Sequence, residues 1–330
     1  MQKKMIFAAT AAALSLVLAA CGGSDGATKD SAEDFPANDI KMVVSYAAGG
    51  PTDLAGRAIA KFYAKEFGVP VVVENVEGAS GAVGTAKVAK SKPDGLTIGM
   101  TTSSAAGRVP LIQNVGYQLS DLAAIGVGTV GPGLIVVRAD SPYKTADEFF
   151  AAAKAKPGTI KFGTAGASAP QHVELQRMDR EYGIKFRLVP FQGEAPEVTA
   201  LLGNNIDAGF ASNAAVTLAQ VDAGKLRVLA TASDERLEYL PEAKTLKELG
   251  FDKLTYGTSY FILVAPAGTP KKILAKLESG LKKALDDPET RKVIGPERIS
   301  PTFIGSSGLM DMMMDEQVVL KPILKELFAN

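Results

Sequence analysis

From residue 40 onward, apolar runs rich in β-branched residues alternate with amphipathic stretches. Residues 40–45 predict a strand, and Gly49-Gly50 follow it. Residues 53–67 predict a helix: Leu54, Ala55, Ala58, Ile59 and Phe62 share one face, while Arg57, Lys61 and Lys65 are mostly off it. Residues 71–73 predict a second strand, 80–90 a short Ala-rich helix and 96–100 a third strand. Residues 125–130 and 134–137 predict strands split by Gly131-Pro132-Gly133. Thr145-Ala146-Asp147-Glu148 has the pattern of a capping box and opens a helix through Lys154. Further strands are predicted at 160–164, 188–189, 228–231 and 260–265, and helices at 170–181, near 194–203 and 213–223, and at 306–328. Thr269-Pro270 opens another helix with cap and proline in the expected order. Such repeated strand–helix units imply parallel sheets covered by helices on both faces. Two series of them imply two doubly wound α/β domains with a cleft between them.

The first twenty residues read differently. Lys3 and Lys4 form a short basic segment, and residues 5–20 run uncharged and apolar. That run is short for a membrane span and fits the apolar region of a signal peptide. It ends Leu18-Ala19-Ala20-Cys21-Gly22, which resembles a bacterial lipobox whose cysteine is lipidated; a plain signal peptide with a chance cysteine is the alternative. Residues 21–38 are polar and rich in Gly, Ser and Asp, which predicts a flexible tether.

Composition narrows the chemistry. Lys+Arg and Asp+Glu are both 36, so there is no electrostatic footprint for nucleic acid. Cys21 and His172 are the only cysteine and histidine, which leaves no intramolecular disulfide and no Cys/His zinc cluster. Any Ser-His-Asp arrangement would have to use His172, and no G-x-S-x-G elbow occurs. The expectation is therefore no catalytic residue, no metal and no cofactor. Gly126-Val127-Gly128-Thr129-Val130-Gly131 matches a dinucleotide fingerprint, but an extended run follows it where that fingerprint requires a helix. It reads as strand–turn–strand. Met310, Met312, Met313 and Met314 read as partial core of the C-terminal helix.

Two glycine-rich loops lie where open α/β sheets bind ligands, at strand ends beside helix N-termini that favour anions. One is residues 45–53; the other is residues 163–172. Each mixes glycines with hydroxyls and has no Lys or Arg. On pattern alone the glycines could merely form tight turns, with Asp53 and Ser168 capping helices. His172 is either a polar helix-face residue or a residue that lines the cleft or braces the loop before it.

The motifs resemble one family in order along the chain. Val44-Ser45-Tyr46-Ala47-Ala48-Gly49-Gly50-Pro51-Thr52-Asp53 resembles V-P-F-A-P-G-G-x-x-D of the tripartite tricarboxylate transporter substrate-binding receptors, also called Bug receptors. Val73-Glu74-Asn75 with Gly78-Ala79-Ser80-Gly81, Pro93-Asp94-Gly95-Leu96-Thr97, the loop from Gly163 to His172, and Val189-Pro190-Phe191-Gln192-Gly193 are similar to later motifs of the family. So are residues 224–230 and Ala265-Pro266-Ala267-Gly268-Thr269-Pro270. Ser45, Ala48, Gln192 and Ser259-Tyr260 depart from its usual residues.

The resemblance implies an extracytoplasmic receptor of the type II periplasmic-binding-protein fold, with two crossovers between the domains. Domain one would be residues 39–131 plus 259–330 and domain two residues 132–258. It implies a small carboxylate ligand, held largely by backbone N–H groups and water. It implies ligand contacts from Tyr46, Ala48, Gly49, Gly50, Thr52, Asp53 and Ser103 in domain one. In domain two it implies Thr164, Ala165, Gly166, Ser168, His172, Phe191, Gln192 and Ser212. Asp53 is expected to cap the helix, hold a water or accept from a ligand hydroxyl or amine, and not to touch an ionised ligand carboxylate, since two like charges 4 Å apart repel by about 1–4 kcal/mol. The expected partners are membrane components of the transporter and the bilayer, through lipid on Cys21, with the receptor a monomer. The second reading is a binding protein for an aromatic acid or another non-tricarboxylate ligand, acting as a sensor.

Overall fold

The computed structural model describes residues 35–191 and 193–327. The signal segment, Cys21, most of the expected tether and Gln192 lie outside the described residues. The chain begins with β1 (Ile40–Val44), α1 (Pro51–Phe67) and β2 (Val71–Asn75). A 3-10 turn at Ala79–Gly81 leads into α2 (Ala82–Ala89), then β3 (Thr97–Thr102), a π-helical turn at Ser104–Arg108, α3 (Val109–Ile112) and β4 (Leu122–Gly131). After Pro132 come β5 (Gly133–Arg138), α4 (Ala146–Ala155), β6 (Lys161–Thr164), α5 (Pro170–Tyr182), β7 (Arg187–Pro190) and α6 (Glu194–Leu202). Then follow β8 (Ala208–Ser212), α7 (Ala215–Asp222), β9 (Leu226–Thr231) and β10 (Lys244–Thr245). The chain ends with β11 (Ser259–Pro266), α8 (Lys271–Asp286), α9 (Pro288–Ile294) and α10 (Ser306–Leu327).

The strands form two sheets, ordered β2-β1-β3-β11-β4 and β10-β9-β5-β8-β6-β7. Each sheet with its helices makes one lobe. The backbone passes from the first lobe to the second at Pro132 and returns before Ser259, so it crosses twice. Those crossings correct one expectation. The sheets are mixed, not parallel: β11 runs antiparallel to β3 and β4, and β5 runs antiparallel to β8 and β9. A strand that enters a lobe from its neighbour starts at the cleft end, where the lobe's own β–α units finish, and so points the other way.

Apolar burial follows the amphipathic pattern. In the first lobe, Ile59 and Tyr63 of α1 join Met42, Met100, Phe261 and Leu277 on one face. Val43, Val88, Ile262, Leu309 and Met313 pack on the other. In the second lobe, α4 and α5 cover one face with Phe149, Phe150, Leu175 and Met178. Val198 and Leu201 of α6 cover the opposite face. The methionine cluster divides as a helix requires: Met313 is buried and Met314 is exposed.

Three further expectations change. Phe35, inside the stretch expected to be tether, is buried against the first core and meets Phe67 edge-on at 6.3 Å. Aromatic burial at Phe35 outweighs the polar composition around it. Thr269 does not cap α8; its hydroxyl donates back to the Pro266 carbonyl at 2.8 Å, and Pro270 occupies the cap position. β8 is a central strand that the pattern did not predict, because Ala-Gly-Phe-Ala-Ser carries little β propensity. The residues 126–131 fingerprint lies inside β4 and leads into β5, as a strand–turn–strand reading requires.

Candidate ligand-binding site

The first loop hangs from the end of β1. Gly49 adopts φ +80°, a left-handed conformation open to glycine, and turns the chain into α1. Asp53 lies in the first turn of that helix, and its carboxylate is buried. It accepts the Gly49 amide at 2.8 Å, Arg57 Nε at 2.9 Å and Asn75 Nδ2 at 2.8 Å. Asn75 also donates to the Tyr46 carbonyl at 3.0 Å, tying the loop to the end of β2. Burial pushes the Asp53 pKa up, but the donors from Arg57, Gly49 and Asn75 outweigh it and hold the group below the usual aspartate value. Asp53 therefore braces the loop, and its oxygens are committed to protein donors.

The Tyr46 hydroxyl bonds the Ser80 carbonyl and the Thr102 hydroxyl, both at 2.9 Å, and burial pushes its pKa up to about 12. Ser80 lies in a turn where it and Ala79 both have positive φ, 55° and 46°. The turn abuts Tyr46 closely: a Cβ on Gly81 would stand 2.8 Å from the ring. Ser168, from the second loop, donates to Ser80 Oγ at 3.0 Å, and its carbonyl accepts the Ser104 hydroxyl at 3.1 Å. The two loops expected from sequence thus meet across the lobes through Ser80, a residue not singled out for the site. Its Gly-Ala-Ser-Gly turn was visible as a motif, but nothing in it indicated an interlobe contact.

The second loop closes on itself. Thr164 Oγ1 lies 2.8 Å from His172 Nδ1 in a buried pair, and burial lowers the His172 pKa to about 4. His172 is neutral at neutral pH and braces the loop. Phe191 donates its amide to the Thr164 carbonyl at 2.8 Å, which places it beside Gly163 and Gly166. Ala165 and Gly166 are half-buried, and Ala48 and Gly49 are exposed on the opposing loop. Thr52 and Ser103 are buried, and the Ser103 hydroxyl has no partner among the described residues. Ser212 stands apart at the end of β8, where its hydroxyl donates to Glu194 at 2.6 Å. The Thr217 hydroxyl bonds the same carboxyl group, whose pKa is raised by burial against the opposing effect of these bonds.

The helices that start at this junction share one feature. α1, α5, α6 and α7 begin after Gly50, Ala169, Gly193 and Ala214, none of which supplies a side-chain cap. Away from the junction both cases occur: α8 starts after Pro270 without a side-chain cap, whereas α4 is capped as its sequence predicts, Thr145 accepting the Glu148 amide at 3.2 Å. Uncapped N-termini keep N–H groups and partial positive charge available to an anion. No group of His, Cys, Asp and Glu able to hold a metal ion occurs among the described residues.

Residues 55–328 match the family described as tripartite tricarboxylate transporter family receptor. The chain belongs to this receptor family. A relative from Cupriavidus necator, the UPF0065 protein in the gbd 5′ region, is 32% identical over 318 residues, covering 96% of this chain and 95% of the relative. Among solved structures, a TctC solute-binding protein from Polaromonas superposes with a TM-score of 0.75 at 30% identity, over 88% of this chain and 99% of that one. The Rhodopseudomonas palustris protein MatC, solved with bound malate, has a TM-score of 0.75 at 25% identity, over 88% of this chain and all of its own, 100%. The receptor family and the two-lobed α/β fold of its periplasmic members are thereby established for this chain.

Proposed function

We propose that this receptor captures a small carboxylate between its lobes outside the cytoplasm and delivers it to the membrane components of a tripartite tricarboxylate-type transporter. The observation that carries the reading is the meeting of the two loops beside uncapped helix N-termini, joined through Ser80 and Ser168 at 3.0 Å. Backbone N–H groups there suit a carboxylate without a lysine or arginine in either loop. The malate bound to MatC supports the ligand class by analogy. The domains are taken as residues 39–131 with 259–330, and 132–258, meeting at the two crossings. Tyr46, Ala48, Gly49, Gly50, Thr52, Ser103, Thr164, Ala165, Gly166, Ser168, Phe191 and Gln192 are taken as the lining. Asp53 and His172 are taken as its braces and Ser212 as a more distant member.

The protein is further proposed to act as a monomer, to perform no chemistry on its ligand, and to be tethered through lipid on Cys21. The lipobox-like Leu18-Ala19-Ala20-Cys21 supports the tether. A Cys21→Ala form is expected to leave the membrane fraction; if it stays bound at high salt, the anchor is elsewhere. The ligand reading is tested by thermal melts against a panel of mono-, di- and tricarboxylates, aromatic acids and amides. A ligand at a hundred times its Kd adds about 2.7 kcal/mol to stability. At least one aliphatic carboxylate is expected to raise the Tm and to be recovered unchanged. A panel in which only aromatic acids or amides do so favours the sensor-type alternative.

A further inference from the structure

Four charged side chains are buried together where the chain returns from the second lobe to the first. Arg108 ends the π-helical turn of the first lobe and bonds Glu316 of α10. Glu174 and Arg177 lie about one turn apart on α5 of the second lobe, and Arg177 Nη1 donates to Glu174 Oε1 at 2.8 Å. None of the four is more than 5% exposed. The returning segment runs between the two pairs. Arg108 Nη2 donates to its Tyr256 carbonyl at 3.3 Å, and its Tyr256 amide donates to Glu174 Oε1 at 2.8 Å. One residue is thus held by the first lobe at its carbonyl and by the second at its amide. The Arg177 guanidinium also stands over the Tyr256 ring, 5.2 Å from its centroid.

The two pairs are incompletely satisfied. Arg108 Nη1 and Glu174 Oε2 are buried without a hydrogen-bond partner among the described residues; Arg177 Nε is too, but it sits on the same lobe as Glu174. Burial pushes the Glu174 pKa up, and the charges of Arg177 and Arg108 oppose it, so Arg108 is within electrostatic reach. Orphaned charged atoms are costly in an interior. These two are opposite in sign, one on each lobe, and flank the same peptide. Contacts along α5 supply the lever. Ser168, just before the helix, meets Ser80 and Ser104 of the first lobe at the cleft. Gln171 donates to Ser259 at 3.2 Å, where β11 begins, and Arg180 bonds Glu326 of α10 at 2.9 Å. From Gln171 to Arg180 the helix rises about 14 Å. With the returning segment as fulcrum, lifting Ser168 away from Ser80 and Ser104 swings the body of α5 towards Arg108 and α10.

We infer that Arg108 is a two-position charge switch: it bonds Glu316 while the lobes touch at Ser80 and Ser168, and passes to Glu174 when they part. The exchange keeps one ion pair throughout and changes only its partner, which favours two discrete lobe arrangements over a continuum. It sets how often the ligand-free receptor stands open, and through that the apparent affinity for whatever it binds. The inference holds for any ligand and stands apart from the carboxylate reading above.

Glutamine is the informative replacement. In Glu174→Gln, Oε1 still accepts from Tyr256 and Arg177, while the orphaned oxygen becomes an amide donor that no longer attracts Arg108. Glu316→Gln keeps an acceptor for Arg108 but removes the charge that strengthens the bond. Spin labels are placed at Val83→Cys of α2 and Val216→Cys of α7, both exposed and both in first turns at the cleft end of their lobes. A Cys21→Ala background leaves only the two introduced thiols to react. Double electron–electron resonance then reads the ratio of parted to touching lobes without ligand. Glu316→Gln is expected to raise that ratio about threefold or more, and Glu174→Gln to lower it by a similar factor. In an Arg108→Met background the same two substitutions are expected to leave it unchanged, since the shared partner is gone. If Glu316→Gln does not fold, Glu174→Gln with and without Arg108→Met decides the matter. Shifts in the same direction, shifts that persist in Arg108→Met, or a lowered Tm with an unchanged ratio would make the four charges a fixed structural network and overturn the switch.

Discussion

His172 shows how a single residue can be mistaken for chemistry. As the only histidine of the chain it is the obvious candidate for acid–base work, yet its ring is buried and committed to Thr164 at 2.8 Å. Burial holds its folded pKa at about 4, below the usual histidine value of about 6.5. As pH falls, the unfolded chain therefore takes the proton first. The stabilisation is complete above about pH 6.5, declines between there and about 4, and amounts to at most about 3 kcal/mol. The imidazole signal is unambiguous in an NMR titration of the folded protein, and its midpoint is expected near 4. A midpoint near 6.5 would contradict the buried Thr164–His172 pair. His172→Gln is expected to flatten the dependence of Tm on pH across the same window. Asp53 teaches the same lesson: its motif position was legible, and its role as a brace emerged with the donors from Gly49, Arg57 and Asn75.

At the scale of elements, sequence signals hold where the chemistry is local. The Thr145 capping box forms as its spacing predicts, and α1 extends only two residues N-terminal to its predicted range, starting at Pro51. What the sequence did not carry was long-range. β8 is a central strand because it is enclosed between β5 and β6, not because its residues prefer to be extended. The antiparallel strands follow from the crossings, which no local pattern encodes. Arg298 reaches Phe261 only through the return of the chain after α9. Gly163, expected at the start of the second glycine-rich loop, lies within β6 and has a packing reason. A Cβ there would stand 2.4 Å from Ile206 Cδ1 and 3.1 Å from Glu197 Cγ, so β6 admits the α6 side only without a side chain. Gly163→Val is expected to destabilise by about 1–3 kcal/mol through overpacking. Urea unfolding with an unchanged m value reads this directly, and an unchanged midpoint would show that α6 can move away freely.

For the whole molecule, the lobes are joined by more than the two crossings. α10 packs Leu320, Ile323 and Leu324 against Val173 of α5, spanning both lobes on one side. On that side Arg108 of the first lobe bonds Glu316 and reaches the Tyr256 carbonyl at 3.3 Å. Tyr256 in turn donates its amide to Glu174 of the second lobe at 2.8 Å. The other side holds the first loop, where Gly50 begins α1. A Cβ on Gly50 would meet only the Ala47 carbonyl, at 3.5 Å, and its backbone is extended with φ −78°, so a β-carbon is accommodated there without backbone strain. The branched side chain of valine would instead occupy the approach to the helix N–H groups. Titration calorimetry of Gly50→Val with the carboxylate that binds the wild-type protein is thus the most direct test of a ligand held at this loop. Affinity is expected to fall at least tenfold, about 1.4 kcal/mol, with the Tm of the free protein unchanged. A variant that binds as tightly as the wild type would contradict the assignment of the site to the first loop.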